Sequence, residues 1–392
     1  MAKDRLIVKN FGPIREVDIE MSKVTVFIGE QASGKSVLAK LAALLSDPMA
    51  SEKRGELLRE FHPLLEEFNI ATFQSNDSYA SFKNDKFESG FKENRSFKSF
   101  NDDNLRKLYQ RLIEILGESG DENSSVADSL STVKEVDKYF EKREQIRSLV
   151  TEINTMVPES IYIPTERNLI SILSTSLYSL LRNNVALPAF IKNFGSLFEV
   201  SRKIVKTTDI PALNLKYSFQ NIDLIILEDG RRLSLEFSSS GVQSITPIAV
   251  VVNAIPEAGK HLFIVEEPEL NLYPTTQKAL VEYLVEKCTK GDNRLIITTH
   301  SPYILTALNN CIQAQNVIDK HPESAAEVAK IVPPQFHLKY EDVIAYHVSG
   351  GMAKPIMDDE IQMIDANELD GVSDDLASVF DKLLDLKYQN QE

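Results

Sequence analysis

The spacing of apolar and polar residues predicts an α/β protein in which buried strands alternate with helices. Short apolar runs fill residues 24–28, 261–265 and 294–299, and each run leads through polar residues into a helical pattern. Strands that are connected by helices in this way form a parallel sheet with helices packed on its faces. The expected fold class is therefore α/β, built around a parallel sheet.

The segments around this core have other patterns. Residues 4–21 and 70–90 alternate as β-strands do, and residues 91–155 are rich in charge with helical spacing. These changes of pattern divide the chain into an N-terminal part with a β-rich lobe and the first buried run (1–90), a charged helical insertion (91–159), a second part of the core (160–305) and a small α+β C-terminal extension (306–392).

The first buried run leads directly into a glycine-rich loop that matches a phosphate-binding P-loop. The pattern is Gly-x-x-x-x-Gly-Lys-Ser, with a strand before it and a helix after it, which is the context that such a loop requires. Glycines allow the backbone to turn tightly around an anion, and the start of a helix adds positive charge. Lys35 would supply a charge for the β- and γ-phosphates, and Ser36 a hydroxyl for Mg²⁺. The predicted nucleotide-binding residues of this loop are Gly29, Glu30, Gln31, Ala32, Ser33, Gly34, Lys35, Ser36 and Val37.

A pair of acidic residues, Glu266 and Glu267, ends the second apolar run. At the end of a buried strand, the first carboxylate is expected near Mg²⁺ and the second beside the attacking water, as in a Walker B pair. Two exposed acids that cap a strand would give the same letters, but the following Pro268-Glu269 and the position after the P-loop favour a site. The predicted ligands of the protein are therefore ATP and Mg²⁺.

Composition narrows the class of protein. The chain of 392 residues has a formal net charge of −15, which argues against a generally basic nucleic-acid binder but leaves room for a local basic groove. No apolar run has the length of a membrane span, and the N-terminus has no signal-peptide pattern. Cys288 and Cys311 are expected to be buried thiols, as in a reducing cytosol. We therefore expect a cytoplasmic protein that does not act at a membrane.

The order of four motifs resembles a known family. The P-loop is followed by Ser-Ser-Ser-Gly-Val-Gln (238–243), Ile-Val-Glu-Glu-Pro-Glu-Leu-Asn-Leu-Tyr-Pro (264–274) and Thr-Thr-His-Ser-Pro (298–302). This order resembles the ABC-type ATPases, and within them the branch of SMC-type and OLD-family (overcoming lysogenization defect) heads, which are also described as AAA-family ATPases of the AAA_15 or AAA_21 type. The resemblance covers about residues 5–50 and 160–305. It implies a P-loop NTPase fold of the ABC-ATPase head type.

The resemblance also implies a homodimer in which ATP is held between the P-loop of one protomer and the signature loop of the other. The segment 270–274 would be the D-loop at the dimer interface, and His300 the switch histidine that senses the γ-phosphate. The residues that it assigns are Glu267 and His300 for catalysis, Ser239, Ser240, Gly241 and Gln243 for the nucleotide of the partner protomer, and Ser36, Glu266 and Gln74 for the metal.

Some of these assignments stay open on the sequence alone. The first Walker B acid is Glu266 where Asp is more usual, and the signature reads Ser-Ser-Gly-Val-Gln in place of Leu-Ser-Gly-Gly-Gln. Gln74, the candidate for the Q-loop glutamine, could equally be an ordinary glutamine at a strand end. Arg167 could reach the nucleotide site or form a structural ion pair.

The resemblance favours an ATP-driven dimeric switch that controls a partner effector in DNA maintenance or anti-phage defence. Assembly into a higher oligomer and binding of DNA are compatible with this expectation. An OLD-like nuclease that acts directly on DNA is an alternative, but the acidic groups at 358–360 and 374–375 lack the strand context of a Toprim domain. A transporter ATPase subunit is a further alternative. The N-terminal Asn-Phe-Gly-Pro-Ile (10–14), the helical insertion and the Glu-Glu-Pro-Glu run favour the SMC/OLD branch instead.

Overall fold

The computed structural model describes most of the chain, with several gaps. The described residues are 4–48, 62–93, 95–117, 133–173, 187–257, 259–365 and 378–384, and every structural statement refers to them. No described helix combines the length and the apolar character that crossing a bilayer requires.

The strands belong to two large sheets, one smaller sheet and a short ribbon. In chain order they are β1 (Asp4–Phe11), β2 (Ile14–Met21), β3 (Val24–Ile28), β4 (Tyr79–Lys83), β5 (Phe87–Lys92), β6 (Arg95–Phe100), β7 (Glu159–Ile163), β8 (Thr207–Ile210), β9 (Leu215–Phe219), β10 (Asp223–Ile226), β11 (Arg232–Ser234), β12 (His261–Glu266), β13 (Arg294–Thr299), β14 (Val343–Ser349), β15 (Met352–Pro355), β16 (Met357–Asp358) and β17 (Met363–Ile364).

The helices lie mainly between and outside these sheets. They are α1 (Lys35–Leu45), α2 (His62–Glu67), α3 (Asp103–Gly117), α4 (Val133–Met156), α5 (Arg167–Leu173), α6 (Ala189–Val205), α7 (Ser240–Ala254), α8 (Pro274–Cys288), α9 (Pro302–Lys320) and α10 (Ala325–Ile331).

A six-stranded core sheet carries the predicted motifs. Its order is β15-β14-β3-β13-β12-β7, and every neighbouring pair from β14 to β7 is parallel. Helices and two further sheets cover its two faces, which is why its strands read as continuous apolar runs. Because the strands are parallel, β3, β13 and β12 all end at the same edge, where Ile28 pairs with Thr299 and Glu266 with Thr298.

Two apolar layers hold this sheet in place. On one face, α1 packs between the core sheet and the antiparallel sheet β2-β1-β4-β5-β6, so that nearly all of the helix is buried. On the other face, α7, α8 and α9 pack against β3, β12 and β13, together with the four-stranded sheet β11-β10-β9-β8. The expected α/β class, the parallel core and the β-rich N-terminal lobe are confirmed.

The helical insertion begins later than the sequence pattern suggested. Residues from 91 onward were expected to be helical, but β6 pairs with β5 and extends the antiparallel sheet, so that helix starts only at Asp103. The ring of Phe97 covers Gly90 on the neighbouring strand, a packing contact that favours a strand over a helix here. The sequence did not indicate a strand at β6 because most of its residues are polar. The division into an insertion remains a prediction.

The C-terminal extension contributes directly to the core. Strand β14, which was expected at 343–348, pairs in parallel with the P-loop strand β3. A Cβ atom at Gly29 would clash with the carbonyl oxygen of Val348 at the end of β14, and the φ of Gly29 is 150°. The segment after residue 305 therefore shapes the P-loop. Most of the closing helix expected at 373–387 lies outside the described residues, but residues 378–384 are helical.

We predict that Gly29→Ala destabilises the protein by about 2 kcal/mol or more, because the backbone is strained for alanine and the methyl group overlaps a carbonyl. The control is Gly230→Ala, where φ is 81° but the space around the Cβ position is open, so that only about 1 kcal/mol of backbone strain is expected. Urea unfolding measures both values. Equal losses in the two variants would show that β14 does not constrain the loop.

Candidate functional site

The predicted P-loop forms a tight turn between β3 and α1. Gly34 precedes α1 with a φ of 108°, and a Cβ atom there would clash with Ile14 at the start of β2. Ala32 also has a positive φ, of 59°. No side chain caps the N-terminus of α1, and its first turn contains no acidic residue. The free N–H groups and the helix dipole therefore favour an anion at this position.

Lys35 is buried inside the loop, with only 4% of its surface exposed. Its Nζ donates to the carbonyl oxygens of Gly29 (2.9 Å) and Glu30 (2.8 Å), and lies 3.4 Å from Nδ1 of His300. Burial lowers the pKa of Lys35, while nearby glutamates, Glu267 foremost, oppose that shift. The ammonium group is thus positioned at the carboxyl edge of the core sheet, between the P-loop and the ends of β12 and β13.

Glu266 is a buried carboxylate beside the helix start. It is 2% exposed, its Oε1 atom has no hydrogen-bond partner, and burial raises its pKa to about 7. Lys40 and the hydroxyl groups of Tyr162 and Ser36 act against that shift. An unpartnered carboxylate oxygen next to the Ser36 hydroxyl is a donor set that suits Mg²⁺. The described residues contain no cluster of three or more His, Cys, Asp or Glu that could hold a metal ion.

Glu267, His300 and Lys35 form a continuous polar chain. Nε2 of His300 lies 3.0 Å from Oε1 of Glu267, and Nδ1 faces Nζ of Lys35. An ammonium group can only donate, so Nδ1 of His300 would be the acceptor in its contact with Lys35, while Nε2 lies at ion-pair distance from Glu267. The predicted catalytic pair is therefore brought together. Each side chain of this pair is also about one quarter exposed, at 25% for Glu267 and 28% for His300.

Glu269 is a third acid at this edge that the sequence analysis did not assign to the site. Its Oε1 atom accepts from the hydroxyl of Thr299 (2.7 Å) and from the backbone N–H of His300 (2.8 Å). Burial raises its pKa, which these two hydrogen bonds partly offset. Glu269 thus fixes the end of β13 and the backbone of the histidine. The Glu-Glu-Pro-Glu run was the only signal of it in the sequence.

Arg167 neither reaches a carboxylate nor lies on the surface. It is fully buried, and its hydrogen bonds in the described structure all go to backbone carbonyl oxygens. These acceptors are Pro164 (3.0 Å), Ser244 (3.1 Å), Glu266 (2.7 Å) and Glu267 (2.7 Å). Burial lowers the pKa of Arg167 to about 10, and nearby glutamates oppose the shift. Arg167 therefore does not form the ion pair considered from the sequence. It binds four backbone carbonyl groups instead.

The signature segment separates into exposed and buried residues. Ser239 is the N-cap of α7, and Ser239 and Ser240 are both exposed. Gln243 is buried and donates through Nε2 to the carbonyl oxygen of Glu236 (2.8 Å). Gly241 packs on the predicted D-loop of its own chain, where an added Cβ would lie 3.0 Å from the carbonyl oxygen of Asn271. The two serines are thus the accessible part of this segment.

Gln74 lies in the β-rich lobe and not at a strand end. It follows the short 3-10 helix Ala71–Phe73, and its Nε2 atom donates to the carbonyl oxygen of Glu93 (2.8 Å). Its Oε1 atom is buried without a hydrogen-bond partner. The prediction of a strand at 70–74 is therefore wrong. This segment forms a turn that packs over the β1–β2 turn, where the backbone N–H of Gly12 donates to the carbonyl oxygen of Phe73. A metal-binding role for Gln74 stays a prediction.

The two cysteines are buried in helices. Cys288 ends α8 and Cys311 lies in α9, both are free thiols, and burial raises the pKa of each. The expectation of buried thiols is confirmed.

Comparison with known proteins identifies the domain around these residues. A family model described as "AAA domain, putative AbiEii toxin, Type IV TA system" matches residues 24–306, from the first residue of β3 into α9. No curated protein sequence matches the chain. The family match confirms the resemblance to AAA-type ATPases that the motifs predicted.

Among solved structures the chain is similar to SMC heads. One is an SMC head bound to the C-winged helix domain of ScpA, with a TM-score of 0.41, 13% identity, and coverage of 91% of this chain and 96% of that one. Another is the SMC head domain from Thermotoga maritima, with a TM-score of 0.38, 12% identity, and coverage of 91% and 98%. A third is an SMC head with an extended coiled coil bound to the C-terminal domain of ScpA from Pyrococcus furiosus, with a TM-score of 0.41, 11% identity, and coverage of 96% and 100%.

The raised pKa of Glu266 makes stability depend on pH. Between its ordinary pKa of 4.5 and about 7, the folded protein holds a proton that the unfolded chain has lost, so the free energy of unfolding falls as the pH rises. We predict that Glu266→Gln removes this fall, which is on the order of 3 kcal/mol at most. Urea unfolding in EDTA at several pH values measures it, with exposed Glu341→Gln as the control. A wild-type pH profile in Glu266→Gln would contradict the assignment.

Proposed function

We propose, because the chain belongs to the AAA domain family whose model spans its residues 24–306, that it binds and hydrolyses Mg·ATP. The observation that carries the proposal is the meeting of Lys35, Glu266 and the Glu267–His300 pair at one edge of the core sheet. A cation, a buried acid beside a hydroxyl, and an acid oriented by a histidine are the parts that phosphoryl transfer to water requires.

The P-loop would hold the phosphates. Its backbone and the uncapped start of α1 favour an anion, and Lys35 would balance the charge of the β- and γ-phosphates. Ser36 and Glu266 would hold Mg²⁺, which when bound neutralises charge on the phosphate oxygens. The Glu266 carboxylate must be ionised for that role, and a nearby cation favours the ionised form.

Glu267 would act as the general base. Its carboxylate is partly exposed and can accept a proton from a water molecule, while Nε2 of His300, 3.0 Å away, limits its orientation. His300 also faces Lys35, so it would connect the phosphate-binding cation to the base. Glu269 would support both by holding the backbone of His300.

We further propose that two chains close around ATP as a dimeric switch. The exposed Ser239–Ser240 end of α7 offers uncapped N–H groups to a phosphate of a partner protomer. Exposed aromatic residues adjoin the signature, the D-loop and the switch histidine, namely Phe237 (75% exposed), Tyr273 (75%) and Tyr303 (53%). Large exposed aromatic side chains are enriched at protein interfaces. Control of a partner effector in DNA maintenance or anti-phage defence is the wider role that the SMC/OLD-like motifs support.

The nuclease alternative gains no support from the acidic group at 358–360. Oδ1 of Asp358 accepts the backbone N–H groups of Glu360 and Ile361, which is a turn cap. Asp359 accepts from the hydroxyl of Tyr340 at 2.7 Å. These acids therefore have structural hydrogen bonds, and residues 374–375 lie outside the described residues.

We predict that Lys35→Ala weakens ATP binding about 10- to 100-fold, because a charge-assisted hydrogen bond of about 1.5–3 kcal/mol is lost. Equilibrium binding of a fluorescent ATP analogue measures this affinity. The control is Lys278→Ala, which removes a half-exposed lysine on α8 far along the chain from the loop. Wild-type affinity in Lys35→Ala would remove the P-loop from the account.

We predict that Glu267→Gln binds ATP normally but hydrolyses it about 10²- to 10⁴-fold more slowly, because an amide cannot take a proton from water. Phosphate release measures turnover, and the same binding assay measures affinity. Glu282→Gln on α8 is the control and should keep wild-type turnover. If Glu267→Gln turns over at the wild-type rate, another acid at this edge is the base.

A further inference from the structure

Helix α7 contains a proline, Pro247, and a side chain of helix α5 replaces the backbone hydrogen bond that this proline removes. Pro247 lacks a backbone N–H, so the carbonyl oxygen of Gln243, four residues earlier, loses its helical donor. The hydroxyl of Ser171 on α5 donates to that oxygen at 2.8 Å. Both partners of this bond are buried, which makes an unpaired carbonyl costly. Helix α5 is thus fastened to α7 at the point where α7 is weakened.

Arg167, at the start of the same short helix, extends the connection to the catalytic strand. Its Nε atom donates to Ser244 on α7, and the other guanidinium nitrogens donate to Glu266 and Glu267. A guanidinium group is planar and rigid, so it fixes the distances between its acceptors better than an ammonium group can. The end of β12 and the N-terminal half of α7 are therefore held in one geometry by a single side chain.

The backbone of Glu267 needs such support. Its φ is 41°, a conformation that is unfavourable for a residue with a side chain and that persists only when its surroundings impose it. The N–H of Glu267 donates to the carbonyl oxygen of Thr298 (2.9 Å), and its own carbonyl accepts from Arg167. These two hydrogen bonds hold the peptide groups on either side of the strained Cα, and with them the direction of the carboxylate.

We propose that Arg167 is a positioning residue that couples Glu267 to helix α7. The proposal rests on the proposed function, because it assigns Arg167 to the orientation of the hydrolytic base and not to the nucleotide. The exposed N-terminus of α7 would contact the ATP of the partner protomer, whereas Glu267 serves the ATP of its own chain. In such a dimer each ATP lies between the P-loop of one protomer and α7 of the other. Binding of one ATP is therefore transmitted through α5 and Arg167 to the base that serves the other ATP.

Steady-state kinetics of the full chain test the positioning role with Arg167→Lys. Lysine keeps the charge but not the planar fork, so the base should be misoriented while the P-loop is untouched. We expect kcat to fall about 10- to 100-fold with ATP affinity within about threefold of wild type. The matched control is Arg202→Lys, which alters a largely buried arginine that binds Asp223 and stacks on Phe219. It should lose thermal stability and keep kcat.

Ser171→Ala tests the link to α7 without touching Arg167. It removes the donor for the carbonyl that Pro247 leaves free, and we expect kcat to fall in this variant as well, with Ser201→Ala, a buried serine on α6, as its control. Wild-type kcat in a folded Arg167→Lys protein, or an equal fall in Arg202→Lys, would overturn the positioning role. Wild-type kcat in Ser171→Ala would overturn the coupling to α7. A wild-type chain that binds ATP without hydrolysing it would instead refute the proposed function.

Discussion

The structure depends on the burial of a lysine beside three glutamates at the carboxyl edge of the core sheet. Lys35 is 4% exposed, and Glu266, Glu267 and Glu269 all act on its charge. Buried charges destabilise a fold unless they are paired and hydrogen-bonded, so this edge constrains everything around it. The P-loop carbonyls, His300 and the strand-end hydroxyls can be understood as the partners that make this concentration of charge tolerable. A phosphate chain with a divalent cation would also require charged groups of both signs at this edge, a cation for the phosphates and an acid for the metal.

Backbone hydrogen bonds give this edge its geometry. Arg167 donates to carbonyl groups of β12, α7 and the loop after β7, so three elements that are distant in sequence share one buried cation. Strand β14 fixes the geometry on the other side of β3. There the carbonyl oxygen of Val348 leaves no space for a side chain at Gly29. The ATPase core is therefore assembled from segments on both sides of the P-loop strand, including one that the motif pattern placed outside it.

Short-range patterns in the sequence predicted much of this structure. The buried strands, the P-loop and the acidic pair at the end of β12 could be found because apolar runs and motif spacing are local properties of the chain. The hydrogen bonds of Arg167 could not be predicted, since their acceptors are backbone carbonyl groups, which every residue carries. Strand β6 was missed because pairing with β5 outweighed a polar composition. Gln243 matched a motif position, yet its amide is directed into the chain's own loop, which spacing alone cannot reveal.

The central claim is that ATP joins two chains, and sedimentation velocity of Glu267→Gln tests it most directly. With Mg·ATP this variant should sediment as a dimer, because it binds but does not hydrolyse the nucleotide. The comparison is Glu267→Gln with Ser240→Asp, which places an acid at the exposed start of α7, where it suits the helix dipole but repels a phosphate of the partner protomer. The double variant should bind ATP and remain a monomer. Saturating ATP without dimerisation of Glu267→Gln, or a double variant that still dimerises, would contradict the account.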